Sequence, residues 1–170
     1  FIDSFIKKHK LMFKWENAVV SIPKTMVLTT DLFDEFMETN KLYSFALSDV
    51  TDEQVVERFS KSSVPLRMRR YVEEICDAIK TPMDGRSSRL LEDSHYQAFA
   101  GVYSTFMIAN NHPDLEVRRH QLEQAIKSVY ASVFFRESKA YIAATSNVID
   151  EEKMGVVIQK ISGTTHGKRF

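Results

Sequence analysis

Cysteine is almost absent from this sequence. Cys76 is the single cysteine among 170 residues, which excludes an intramolecular disulfide and a zinc site built from several thiolates. A lone thiol fits a reducing compartment, and such a residue is usually a buried, inert side chain. We therefore expect Cys76 to lie in the core without a chemical role.

Long apolar runs are also missing. No stretch approaches the ~20 consecutive apolar residues that a membrane-spanning helix needs. The first residues lack the basic head and the uninterrupted apolar core of a signal peptide. We therefore expect a cytoplasmic protein that has no membrane partner. Hydrophobic residues still make up 44% of the sequence, which is sufficient for the core of one domain.

Neither sign of charge is in excess. Lysine plus arginine equals aspartate plus glutamate, at 23 each, so no overall field attracts nucleic acid or an anionic membrane. The basic segments Arg67–Arg70 and Arg118–Arg119 fall on predicted helices, and we interpret them as solvated faces. They lack the interleaved aromatic residues of an RNA site, because Tyr71 is assigned to the core. Nucleic acid is not an expected partner, and a charged ligand must be bound by a local site.

Glycine is scarce, and the two common phosphate-binding motifs are absent. The sequence has five glycines and contains neither G-x-x-x-x-G-K-[ST] nor G-x-G-x-x-G. Its five histidines are scattered, without a pair at i, i+4 on a helix, so a zinc site has no support. A nucleotide site in this protein would have to be built from other residues.

Apolar periodicity predicts helices and strands along the whole chain. Helices are indicated at the start, in DLFDEFMETN and TDEQVVERF, after Pro65, after Asp114 and in RESKAYIAATS. Strands are indicated in SIPKTMVLTT, at Arg86, in YSTFMIA and in MGVVIQKIS. Thr30 or Asp31 is placed to cap the second helix, and TDEQ has capping-box spacing. We predict an α+β (α/β) fold with a mixed or antiparallel sheet flanked by helices.

Residues 1–170 are interpreted as a single domain that is a fragment of a larger multidomain protein. Ile2, Phe5, Ile6 and His9 already fall at helical spacing, and no N-cap residue precedes them. The final strand leads into a turn-like segment, after which a hairpin partner is expected.

The central segment RSSRLLEDSHYQAFAGVYSTFM begins at Arg86 and combines features that suit a phosphate ligand. A guanidinium presents planar donors that match phosphate oxygens, and Ser87 adds a neutral donor. The alternative for this pair is a salt bridge and a turn. Small residues around Gly101 would let the backbone from Phe99 to Thr105 approach a ligand closely and cradle phosphate oxygens. The alternative for this part is an ordinary β-turn.

Two adjacent carboxylates, Glu92 and Asp93, lie inside the same segment. They could bind Mg²⁺ or transfer protons, whereas adjacent carboxylates in a loop more often face water or cap a turn.

The longer segment RSSRLLEDSHYQAFAGVYSTFMIANNHPD resembles the N-terminal nucleotide-binding domain of the phosphoenolpyruvate synthase and pyruvate phosphate dikinase family. That family has an arginine followed by two serines, then Glu-Asp, then Phe-Ala-Gly or a close variant, then a strand. SIPKTMVLTTDLFDEFMETN resembles the strand and helix before this motif, and KMGVVIQKISG resembles a later strand with a glutamine. The resemblance covers essentially the whole sequence in the same order.

The resemblance implies a partial ATP-grasp-like domain, in which two subdomains close on ATP. In the family, a phosphoryl group passes from ATP to a histidine on a separate phosphohistidine domain. A pyruvate-binding domain then forms phosphoenolpyruvate, so that ATP, pyruvate and water give phosphoenolpyruvate, AMP and phosphate. The implied partners are ATP and these two domains of the same full-length chain.

The resemblance also assigns site residues. Arg86 matches the family arginine that contacts the ATP phosphates, which is the catalytic assignment, and Ser87 lies beside it. Gln159 matches the glutamine of the strand that leads to the adenine pocket, where Lys160 and Ile161 would contribute backbone groups. The glycine-bearing loop over the triphosphate corresponds to Gly101, Val102, Tyr103, Ser104 and Thr105.

The sequence departs from the family pattern in three respects. The nucleotide-binding lysine of a Lys-Gly motif would fall before Phe1, and the ligands for Mg²⁺ would fall after Phe170. Gly85 stands where the family usually has an aliphatic residue, which predicts a looser strand at Arg86. We therefore expect the isolated fragment to be catalytically inactive and to bind ATP weakly or not at all.

Two other functions stay open at this point. A dikinase-type phosphotransferase could deliver phosphate to another acceptor, such as an antibiotic or a glucan. A regulatory module could sense nucleotide without turnover. The sequence also leaves open whether the protein forms a homo-oligomer.

Overall fold

The computed structural model describes residues 1–88, 105–143 and 153–163. Each predicted helix and strand is present within these ranges, and α3 is an additional short helix. The helices are α1 (Ile2–Lys8), α2 (Thr30–Thr39), α3 (Tyr43–Leu47), α4 (Asp52–Ser60), α5 (Leu66–Ala78), α6 (Leu115–Ser132) and α7 (Arg136–Ala143). The strands are β1 (Thr25–Leu28), β2 (Met83–Ser88), β3 (Phe106–Ile108) and β4 (Gly155–Lys160).

The described strands form one antiparallel sheet in the order β1-β4-β2-β3. The last of the described strands, β4, therefore lies between two strands that come much earlier. Its Val157 is opposite Val27 on one side and Arg86 on the other. The antiparallel sheet with its helices confirms the predicted α+β class.

Helix starts follow local capping chemistry. Thr51 and Gln54 form the predicted capping box at α4: the Thr51 hydroxyl accepts from the Gln54 amide, and the Gln54 side chain accepts from the Thr51 amide. The predicted cap of α2 is wrong by one position, because Thr29 has the extended backbone of an N-cap residue. Thr30 and Asp31 already belong to the first turn of that helix.

The core lies between the helices and one face of the sheet. Helix α6 packs on β2 and β3, and α2 packs on β4. Tyr130 of α6 meets Phe33 edge-on, with ring centroids 5.0 Å apart, an arrangement favoured between aromatic rings. The predicted apolar face of α2 is confirmed, since all four of its members are buried: Leu32, Phe33, Phe36 and Met37.

The interpretation of the basic segments as solvated is wrong for Arg118 and Arg119. Arg118 is 7% exposed and donates to the carbonyl of Cys76 at 2.5 Å. Arg119 pairs with Glu123 at 2.6 Å, and both side chains are largely buried. The reason is that α5 and α6 pack against each other, and charges between helices are retained when they are paired. Tyr71, assigned to the core, is 44% exposed.

Cys76 lies in the core, as predicted. Its thiol is buried, and burial raises its pKa to about 11, so the reactive thiolate is scarce at neutral pH. None of the helices in the described part of the chain has the length and apolarity of a transmembrane span.

Candidate nucleotide-binding site

The sheet has a second face, opposite the core, that we call the open face. Side chains alternate between the two faces along a strand. On β2, Met83, Gly85 and Ser87 are buried, whereas Arg86 is exposed and Asp84 is half-buried. The alternation therefore places Arg86 and Asp84 together on the open face.

The strand register orders the open face into two rows. The first row runs across all four strands and consists of Thr25, Gln159, Asp84 and Met107. The second row is two residues away from the first on each strand and contains Val27, Val157 and Arg86. Each row mixes polar and apolar side chains, which suits a ligand that has both an apolar ring and charged groups.

Arg86 and Gln159 meet on the open face, although 73 residues separate them in sequence. The guanidinium Nη2 of Arg86 donates to Oε1 of Gln159 at 3.5 Å. The amide Nε2 of Gln159 donates in turn to the Thr25 hydroxyl at 2.8 Å. The two bonds orient the Gln159 amide, with its oxygen toward Arg86.

Contacts with the described residues use little of the hydrogen-bonding capacity of Arg86. A guanidinium has five N–H donors, and a bond of 3.5 Å is a weak one. Arg67 and Arg119 pair with carboxylates, whereas Arg86 has no carboxylate partner within residues 1–88, 105–143 and 153–163. An exposed guanidinium on a sheet face, without a carboxylate partner among the described residues, is suited to bind an anion.

Thr105 lies close to the same point of the sheet. It is exposed and directly precedes β3, whose Phe106 is opposite Gly85 on β2. One position beyond this pair are Thr105, just before β3, and Arg86 on β2. The register therefore places these two residues at the same level of the sheet. The other members of the predicted loop, Gly101 to Ser104, lie outside the described residues.

Three further predicted site residues point elsewhere or use their backbone amides in the sheet. Ser87 is 8% exposed and lies on the core face, opposite to Arg86. The Lys160 amide donates to the carbonyl of Lys24 at 2.8 Å, and the Ile161 amide donates to the carbonyl of Pro82 at 2.9 Å. A nucleotide contact from the backbone of Lys160 or Ile161 would therefore not come from these N–H groups.

Gly85 does not loosen the arginine strand. It is paired with Phe106 on one side and with Ile158 on the other. A Cβ at this position would meet nothing within 4 Å. The missing side chain thus leaves open space on the core face while the ladder of backbone hydrogen bonds continues past it.

Sequence reasoning missed two polar residues of the open face, Asp84 and Thr25. Asp84 was detectable, because it is two residues before Arg86 and a strand repeats its faces every two residues. Thr25 was not, since its position beside Gln159 depends on the strand order. Within the described ranges, no group of three histidine, cysteine, aspartate or glutamate residues is placed to hold a metal ion.

We assign the candidate site to the open face rather than to a cavity between the described elements. A cavity of about 420 Å³ lies between β1, α2 and α5, lined by residues such as Leu28, Asp31 and Ile75, and it does not include Arg86. We place the candidate site on the open face, because the exposed guanidinium and the oriented amide are there.

The fold is of the α+β class, and the open face of its sheet carries an exposed arginine beside a glutamine. The family described as "Pyruvate phosphate dikinase, AMP/ATP-binding domain" matches residues 7–167. The chain therefore belongs to this family of AMP/ATP-binding domains, in agreement with the resemblance of its central motif. A comparison with curated proteins found no match.

Proposed function

We propose that this chain is the ATP-binding part of a phosphoenolpyruvate synthase-like phosphotransferase, and that Arg86 and Gln159 contact the nucleotide from the open face. In the full-length protein, the phosphoryl group would pass from ATP to a histidine of another domain and then to pyruvate. The observation that carries the proposal is the Nη2 to Oε1 contact of 3.5 Å between Arg86 and Gln159, two residues to which the resemblance assigns contacts with one ligand.

The open face supports one orientation of the nucleotide. Arg86 would bind the phosphates, with Thr105 at the same level of the sheet, since charge-assisted hydrogen bonds from guanidinium to phosphate are strong and directional. The ribose and base would extend toward the first row and the end of β4, where Gln159 and Asp84 offer acceptors for hydroxyl and amino groups. The half-buried Val157 and the exposed Val27 and Met107 supply apolar surface for the ring.

Phosphoryl transfer needs positioning and charge neutralisation more than covalent chemistry from the protein. Arg86 would supply one positive charge at the phosphates. ATP in such enzymes carries Mg²⁺, and the described residues do not provide a ligand set for that ion. We therefore assign no Mg²⁺ ligand to this part of the chain, and Gly101 to Ser104 remain predicted phosphate contacts.

The proposal predicts that Arg86→Ala in the full-length protein weakens ATP binding by about 10- to 100-fold. Loss of a charge-assisted hydrogen bond to phosphate costs about 1.5–3 kcal/mol, and every 1.4 kcal/mol corresponds to tenfold in the dissociation constant. Isothermal titration calorimetry with ATP measures the effect.

Arg70→Ala is the matched control, because Arg70 is exposed on α5, away from the open face. We expect it to bind ATP as the unmodified protein does. If Arg86→Ala retains full ATP affinity but melts at a lower temperature, Arg86 is a structural residue and the proposed site is wrong.

A further inference from the structure

Three lysines line a cleft at the end of the sheet, on a different side from Arg86. The cleft has a volume of about 370 Å³ and lies where β1 begins, where β4 ends and where α5 ends. We call it the lysine cleft; the members that matter here are Lys24, Lys80, Thr81 and Lys160. Lys160 is one residue beyond Gln159, so alternation turns its side chain to the face opposite the nucleotide site.

Lys24 and Lys160 are direct cross-strand neighbours. The register pairs Thr25 with Gln159, and the Lys160 amide donates to the Lys24 carbonyl at 2.8 Å, so the pairing continues by one position. Like charges directly opposite each other on antiparallel strands destabilise the sheet. A folded protein tolerates such a conflict most readily where a ligand relieves it.

Contacts within the described residues neutralise the cleft only in part. The Lys24 ammonium donates to the carbonyl of Ala78 at 3.1 Å, which is explained by the favourable position of a cation at the end of α5. Lys80 is 4.0 Å from the Asp77 carboxylate, and both side chains are at least 70% exposed. The Lys160 ammonium has no partner in the part of the chain that the structure describes. Unlike that of Lys24, its position is not explained by a contact with the end of α5.

A hydroxyl in the cleft is also left without a partner. Thr81 Oγ1 is buried and makes no hydrogen bond to any described residue. Buried polar atoms are nearly always hydrogen-bonded to protein, water or ligand.

From this arrangement we infer that the lysine cleft is a second anion site, which binds a phosphate group in the form of inorganic phosphate or a small phosphate ester. Lys24 and Lys160 would neutralise the dianion from two adjacent strands, and Lys80 would add a third positive charge. The volume of the cleft exceeds that of a phosphate ion, so an ester also fits. The inference does not depend on the nucleotide site, because the two sites are on opposite faces.

The test is calorimetry on the full-length protein that already carries Arg86→Ala. Any phosphate binding at the proposed nucleotide site is then the same in all samples. Inorganic phosphate and glycerol 3-phosphate are titrated separately at constant ionic strength, which identifies the source of the phosphate group. We expect Lys24→Gln/Lys160→Gln to weaken phosphate affinity by at least about tenfold, because two charge-assisted contacts are lost.

Stability in the absence of phosphate gives a second readout of opposite sign. In chloride buffer, Lys24→Gln/Lys160→Gln should melt at or above the temperature of its parent, because the repulsion between the two ammonium groups is gone. In phosphate, the parent should gain stability and the variant should not. ATP affinity measured with Arg86 intact should be unaffected by Lys24→Gln alone, which separates this site from the proposed function.

Lys8→Gln/Lys10→Gln is the control of equal charge change, since both side chains are exposed in the N-terminal segment. It should retain the phosphate affinity of the parent. The inference is overturned if the cleft variant keeps its phosphate affinity, if the control loses as much, or if chloride at equal ionic strength stabilises the parent as strongly as phosphate.

Discussion

At the scale of single residues, Tyr43 and Tyr130 differ in whether the tyrosine hydroxyl has a hydrogen-bond partner among the described residues. Tyr130 is fully buried among aromatic rings, and its hydroxyl has no partner among the described residues. Burial therefore raises the pKa of its phenol far above the usual value. The hydroxyl of Tyr43 donates to Oδ1 of Asp34 at 3.1 Å. The ring of Tyr130 contributes to the core, whereas its oxygen loses the hydration that it had in the unfolded chain.

We predict that Tyr130→Phe leaves the free energy of unfolding unchanged or raises it by up to about 1 kcal/mol, because the mutation removes an unsatisfied buried oxygen and no contact of the ring. Tyr43→Phe should lower it by about 0.5–1.5 kcal/mol, because it breaks a hydrogen bond. Urea unfolding followed by circular dichroism measures both. Equal losses in the two variants would mean that the Tyr130 hydroxyl has a hydrogen-bond partner.

At the scale of elements, two glycines in neighbouring strands differ in what surrounds them. A Cβ at Gly85 on β2 would enter open space. A Cβ at Gly155 on β4 would lie 3.2 Å from the carbonyl oxygen of Leu28 and 3.3 Å from that of Ser88. Those oxygens belong to β1 and β2, the strands on either side of β4, and strands held in one ladder have little freedom to move apart.

Gly85→Ala is expected to raise the free energy of unfolding by about 0.5–1 kcal/mol, because it reduces the conformational freedom of the unfolded chain and meets no obstacle in the folded one. Gly155→Ala should lower it by about 1–3 kcal/mol, as overpacking does. Thermal unfolding of the two single variants measures both changes in stability. A loss of stability in Gly85→Ala would contradict the open space beside β2.

The elements also show how far the sequence predicts this structure. The capping box of Thr51 and Gln54 was predictable, because both partners lie within one helical turn. The burial of Arg118 was not, since it depends on the packing of α6 against α5. The motif around Arg86 indicated a phosphate ligand, but its contact with Gln159 requires the strand order β4-β2, which no local pattern encodes. Ser87 follows Arg86 in sequence and lies on the other face of the sheet, because successive side chains of a strand point to opposite faces.

At the scale of the whole molecule, the proposed function concerns a reaction that needs domains besides this one. Full-length protein incubated with Mg²⁺ and ATP labelled, in separate samples, at the β- or the γ-phosphate should form an acid-labile phosphohistidine with one of them if it is a dikinase-type enzyme. Autoradiography after acid and base treatment detects that bond. Arg86→Ala should reduce the label about as much as it reduces ATP affinity when ATP is below saturation.

A protein that binds ATP and forms no phosphohistidine would be a regulatory module rather than a phosphotransferase. Phosphohistidine that does not discharge to pyruvate would indicate another acceptor. Both outcomes leave the AMP/ATP-binding family assignment unchanged, because they concern the acceptor and not the nucleotide-binding surface.

The central position of β4 has a consequence for how the protein is made. A ribosome releases residues 25–28 and 83–88 well before residues 155–160, so among the described strands β1 has both edges unpaired and β2 has one edge unpaired until β4 is made. Exposed strand edges are sites of aggregation. The nascent chain is therefore prone to aggregation until β4 is translated and inserted, and chaperone binding should be concentrated in that interval.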